Sequence, residues 1–184
     1  MREEDGLLWV ETYGGPHVLM HEESAKTWRG GIGFNPSDFL TTTNYGRACT
    51  AVTGRYAASI EVAGREALVL GDEPGDRMVR QIASGQIVVH TPLARPASLT
   101  AEFRNALCVG ERSAFGKAEE TLEVRLEGGV FLLFDSVDWD VRPFEEALPI
   151  ELGGGLYNVE VTHVTRCNGQ DGYRLLSYWL HRVG

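Results

Sequence analysis

Cysteine is scarce in this chain, and lysine is scarcer. Three cysteines, Cys49, Cys108 and Cys167, stand far apart, and no CxxC pair joins any of them. That pattern signals neither a zinc site nor a disulfide framework, and it fits three reduced thiols. Of 17 basic residues only Lys26 and Lys117 are lysine, and the arginines are scattered. No basic cluster therefore overrides a formal net charge of −9, and such a field repels nucleic acid. No apolar run approaches the length of a membrane span. Met1 to Asp5 is acidic and lacks the basic and apolar regions of a signal peptide, so the expected address is the cytoplasm.

Catalytic signatures are missing as well. Five histidines, His17, His21, His90, His163 and His181, form no HExxH or other metal spacing. There is no GxSxG elbow, phosphate-binding loop or dinucleotide fingerprint. Gly153-Gly154-Gly155 precedes a strand pattern, so it lacks the helix N-terminus that binds phosphate. The residues point to a protein without enzymatic activity, cofactor or metal.

What is present is strand grammar. From Tyr56 to Pro74 the chain reads YAASIEVAGREALVLGDEP. Ala58, Ile60 and Val62 alternate with Ser59 and Glu61, which is the period of a half-buried strand. Gly64 supplies a tight turn. Ala67-Leu68-Val69-Leu70 is apolar on both faces, as an interior strand would be. Pro74 offers no ladder donor, so pairing is expected to end near Gly71. Upstream, Leu7 to Tyr13 and Val18 to Met20 read as two strands of a hairpin broken at Gly14-Gly15-Pro16. His21 to Trp28 reads as one or two helical turns, with Ala25 and Trp28 on one side. Residues 31–44 read as a loop, which Tyr45 to Val52 connects to the hairpin.

Beyond Pro74, Asp76 is expected to cap a short helix with Met78, Val79 and Ile82 inward and Gly85 at its end. Gln86 to His90 reads as a strand stopped by Pro92. Leu99 to Leu107 alternates. Leu122, Val124 and Leu126 alternate cleanly with Glu123, Arg125 and Glu127. Val130 to Phe134 is a continuous apolar run suited to a central strand. Leu156 to Val164 and Tyr173 to Arg182 complete the set. The expected fold is mainly β: antiparallel sheets in one or two sandwich-like lobes, with one or two short helices. Arg95-Pro96 divides an N-terminal lobe of residues 1–94, built on the hairpin 56–74, from a C-terminal lobe of residues 95–184. One continuous domain is the other reading.

Two acidic places stand out. Asp72-Glu73 follows a strand, where a turn is the plainer reading and acid–base chemistry the sharper one. Asp135 to Glu146 reads DSVDWDVRPFEE, with five carboxylates, one arginine and two aromatics. Rings provide contact area and acids steer a basic partner, so Asp135, Asp138, Trp139, Asp140, Glu145 and Glu146 are candidate partner-binding residues, with Asp72 and Glu73 beside them. A solvated loop with Trp139 and Phe144 folded onto their own core is the plainer alternative.

Several phrases, in order, are similar to one family. They are Trp9-Val10-Glu11-Thr12 with Gly14-Gly15-Pro16, then Trp28-Arg29-Gly30, Tyr45-Gly46-Arg47-Ala48-Cys49 and Leu68 to Pro74. Phe134-Asp135-Ser136 and Gly155-Leu156-Tyr157-Asn158-Val159 follow. Together they resemble the immunity protein 21 family of bacterial polymorphic toxin systems, over nearly the whole chain. The resemblance implies a cytoplasmic antidote that binds and blocks a cognate toxin domain by direct contact. A basic, nuclease-like toxin would suit the charge; nucleic acid and membrane would not. The alternative from residue chemistry is a small-molecule-binding or enzymatic β protein with a site between two lobes.

Overall fold

Ala57–Val62 (β4) and Arg65–Leu70 (β5) pair antiparallel, with Val62 opposite Arg65. Only Ala63 and Gly64 separate them, with φ of 51° and 79°. Positive φ at both central residues is the primed turn whose twist matches two paired strands. The computed structural model describes residues 2–4, 7–30, 43–71, 77–82, 86–94, 112, 116–137, 146–166 and 173–183.

Arg2–Glu4 (β1), Leu7–Val10 (β2) and His17–His21 (β3) open the chain. Arg77–Ile82 (β6), Gln86–Ala94 (β7), Glu120–Leu126 (β8) and Gly129–Asp135 (β9) follow the hairpin. Leu148–Leu152 (β10), Gly155–Arg166 (β11) and Tyr173–Val183 (β12) complete the described strands. Two antiparallel sheets result, ordered β1-β2-β6-β7-β12-β11-β8 and β10-β9-β3-β5-β4. Each takes strands from before and after Arg95-Pro96. Glu22–Ala25 (α1) and Asn44–Ala51 (α2) are the described helices. The protein is mainly β, as expected from the alternation.

Period-two alternation sorts the core into two layers. Between the sheets lie Val10, Val79, Val89, Val124, Tyr157 and Tyr178 from one side, and Leu19, Leu68, Leu70, Phe131, Leu133 and Ile150 from the other. The intervening residues of the five-stranded sheet, Val18, Met20, Val69, Leu132 and Phe134, turn the opposite way. They pack with Ala25, Trp28, Ala48 and Val52 from and beside the helices. β5 and β9 thus bury both faces, which is why they read as unbroken apolar runs.

The helices have local causes. His21 caps α1 by accepting from the Glu23 amide. Thr43 caps α2 by accepting from the Gly46 amide at 2.9 Å. The chain at Thr43 and Asn44 is therefore a helix start and not the end of a loop; residues 31–42 lie outside the described residues, as does Leu99 to Leu107.

Two expectations are corrected. Arg77–Ile82 is a strand, not a helix capped by Asp76. It pairs with β7, Met78 opposite His90 and Ile82 opposite Gln86; Asp76 and Gly85 lie outside the described residues. Met78, Val79 and Ile82 satisfy a helical stripe, but pairing with β7 decides between periods. Likewise β2 and β3 are not a hairpin: β2 pairs with β1 and β6, while β3 pairs with β5 and β9. Gly14-Gly15-Pro16 carries the chain from one sheet to the other.

Carboxylates close the seam beside β8. Glu66 accepts the Arg125 amide at 2.6 Å and Glu120 accepts the Tyr56 amide at 2.7 Å. Arg65 pairs with Glu127 at 2.7 Å. Side chains thus occupy main-chain donors that would otherwise invite another strand. Among the described residues no helix is long and apolar enough to cross a membrane.

Candidate functional site

The crossing from β2 to β3 is sewn to the end of β9 by one carboxylate. Asp135 Oδ2 accepts from the Tyr13 amide at 2.5 Å, from Thr12 Oγ1 at 3.0 Å and from the Gly15 amide at 3.4 Å. Oδ1 accepts the Val137 amide at 2.9 Å. The Ser136 amide donates to the Pro16 carbonyl at 2.9 Å, and Trp28 Nε1 donates to the Ser136 carbonyl at 3.1 Å. Trp28 also meets Phe134 edge-on at 5.5 Å. Three of the phrases that carry the family likeness, 9–16, 28–30 and 134–136, therefore meet at one place.

Glycine is required there for two reasons. Gly14 has φ of 103°, which L side chains rarely adopt. A Cβ on Gly15 would lie 2.7 Å from Asp135 Oδ1 and 2.8 Å from both Ser136 Oγ and Val137 Cγ2. The turn closes over Asp135 only because nothing projects from Gly15.

Asp135 is 1% exposed. Burial pushes its carboxyl above the usual aspartate range, against the hydrogen bonds from Val137, Tyr13, Thr12 and Gly15, which favour the charged form. This acid faces inward and organises main chain. Glu146 differs: it is exposed, and it accepts a hydrogen bond from the Tyr13 hydroxyl. Tyr13 is 52% exposed. The structure thus brings two candidate acids to one turn, Asp135 beneath it and Glu146 beside its ring. Asp72, Glu73, Asp138, Trp139, Asp140 and Glu145 lie outside the described residues.

A second polar group lies in the inter-sheet core. Arg77 is fully buried; Nη2 donates to the Gly71 carbonyl at 2.6 Å, Nη1 donates to Thr91 Oγ1, and the guanidinium lies 5.7 Å from the Tyr178 ring centre. His17, also buried, places Nε2 3.2 Å from the Glu11 carbonyl. Burial holds its imidazole well below the ordinary pKa, Arg77 adds to that, and main-chain bonds at Glu11 and Val10 oppose it. Sequence reasoning missed this pair. The available signal was Arg77 alternating with Val79, a charge in phase with an inward apolar residue, visible only once the segment is read as a strand.

On the other face of the seven-stranded sheet, His90 Nδ1 lies 2.7 Å from Ser177 Oγ, and Trp179 Nε1 donates to Thr162 Oγ1 at 3.0 Å. A serine beside an imidazole is the geometry of an activated nucleophile. Here both side chains are fully buried, so the bond ties β7 to β12 out of reach of substrate. Among the described residues no group of three or more His, Cys, Asp or Glu side chains is placed to hold a metal ion.

Fold and turn together define a two-sheet β scaffold that holds an exposed aromatic–acid pair at one crossing. The family model of immunity protein 21 matches residues 8–170, and the chain belongs to that family. No curated protein and no solved structure matches it.

Proposed function

We propose that the protein is an antidote that binds a cognate bacterial toxin domain and blocks it by direct contact in the cytoplasm. Membership of the immunity protein 21 family, over residues 8–170, is the observation that carries this reading. The net charge of −9 supports a basic, nuclease-like toxin, because opposite fields steer encounter. Neither nucleic acid nor membrane is a partner in this reading, and the antidote works by occlusion, without catalysis or cofactor. The acidic segment from Asp135 to Glu146, with Asp72 and Glu73, is its proposed contact face. Within it Asp135 acts from below, by setting the turn that carries Tyr13.

The test is mixing. The toxin domain encoded beside this gene, inactivated by substitution, is expected to form a stoichiometric complex with the protein, and the active toxin to lose its activity on addition. Raising salt is expected to slow association more than it speeds dissociation, since screening acts over roughly 8–10 Å near physiological ionic strength. A toxin that stays active and unbound at equimolar protein overturns the proposal.

A further inference from the structure

We infer that His21 is a pH-sensitive latch: the neutral ring caps α1 and steadies the turn that carries Trp28, and the protonated ring lets that helix go.

The cap demands an unprotonated nitrogen. His21 Nδ1 accepts from the Glu23 amide at 3.2 Å. The usual capping side chains, Ser, Thr, Asp and Asn, keep an acceptor oxygen over roughly pH 5 to 8, where histidine changes its charge. A proton on Nδ1 turns the acceptor into a second donor, aimed at the N–H it had bound.

The surroundings favour the charged ring once the cap is lost. Glu23 is held below the ordinary glutamate range mainly by its hydrogen bond from Lys26, and Glu127 by the one from Arg65; His21 adds to the effect on both. Both carboxylates are therefore within electrostatic reach of the imidazole, with Glu22 a third acid in the first turn of α1. The cations nearby are occupied: Lys26 pairs with Glu23 at 2.6 Å and Arg65 with Glu127 at 2.7 Å. Phe131 meets the ring edge-on at 5.5 Å. Gly129 leaves it room, since a Cβ there would lie 2.6 Å from Nε2. Protonation thus exchanges one amide bond for attraction to Glu23 and Glu127.

α1 has four residues, and a helix so short depends on what fixes its ends. Its carbonyls carry the next turn: the Thr27 and Trp28 amides donate to Ser24 and Ala25 at 3.0 and 2.9 Å. Trp28 Nε1 in turn holds the Ser136 carbonyl at the end of β9. A free α1 start loosens that support.

The test is amide exchange of the intact protein, read by NMR at about pH 7.5 and 5.5, for wild type, His21→Asn and His21→Ala. Asparagine caps through an oxygen and does not titrate. Amides of β5 report global stability, to which His17 contributes, and serve as the reference in each protein. Relative to them, protection at Glu23, Thr27 and Trp28 is expected to fall about tenfold in wild type on acidification, the worth of one cap. His21→Asn is expected to change by less than about twofold, and His21→Ala to be low at both pH values. An equal acid-induced loss in wild type and His21→Asn would overturn the latch. So would undiminished protection in His21→Ala at the higher pH, because the cap would then hold nothing.

Discussion

His17 and Asp135 sit opposite each other across β3 and β9, and burial pushes both toward their uncharged forms. The consequences for stability have opposite signs. His17 has a folded pKa below its ordinary value, so its contribution is complete above about pH 6.5 and is lost as pH falls from there toward the folded value. Asp135 has a raised folded pKa, so its contribution is present below the ordinary aspartate range and is lost as pH rises through the folded value.

Acidification from neutrality is therefore expected to destabilise the protein first through His17. Urea melts between pH 7.5 and 5.5 should show stability falling by up to about 1.4 kcal/mol per pH unit. His17→Leu should flatten that slope. Equal slopes in the two proteins would assign the loss to other groups. Arg77→Met should raise the His17 midpoint, read by NMR of the imidazole protons, while burial keeps it below the ordinary value.

Gly15→Ala is expected to cost about 1–3 kcal/mol, the range of an overpacked site, because its Cβ has three neighbours inside 3 Å. Amide exchange of Tyr13 should accelerate together with the fall in melting temperature, since the displaced turn loses Asp135. An unchanged Tyr13 amide would show that the turn is held by something other than that carboxylate.

Ala63 is the one described residue other than glycine with positive φ. Asparagine tolerates that conformation better, and Asn-Gly is the favoured pair in a primed two-residue turn. Ala63→Asn should raise stability by about 0.5–1 kcal/mol, seen as a higher urea midpoint with an unchanged slope. A lower midpoint would mean that Ala63 makes a contact worth more than the backbone preference.

Val69 is fully buried in β5 against Val18, Ala58 and the helical layer. Val69→Asp puts a charge there without a partner, at a cost of several kcal/mol, comparable to the stability of a small domain. Insoluble or non-cooperatively melting protein is expected. A soluble variant with a sharp transition would show that the five-stranded sheet tolerates a breach at its centre.

Local patterns made part of this molecule legible. Leu122 to Leu126 alternates because only one face of β8 meets the core, and Val130 to Phe134 does not alternate because β9 has a core on each side. The hairpin at Ala63-Gly64 needed only its own residues. Pairings decided at a distance were not legible. Nothing between Leu7 and Met20 says that β2 and β3 enter different sheets. Arg77 to Ile82 fits either period until β7 pairs with it. Asp135 read as one acid among five, and its burial depends on a turn about 120 residues earlier in the chain. In the sequence Tyr13 is only the end of a strand-like run, because its exposure and its bond to Glu146 exist only in the folded arrangement.

The place of β12 bears on how the protein is made. Tyr173–Val183 lies between β7 and β11, inside the seven-stranded sheet, and it leaves the ribosome after every other described strand. While it is still in the exit tunnel, β7 and β11 cannot be joined, and each presents an open edge to other nascent chains. Such distant pairings also place folding toward the slow end, in the millisecond-to-second range. In the antidote reading proposed above, the wait for β12 adds to the time before a newly made molecule can bind its toxin.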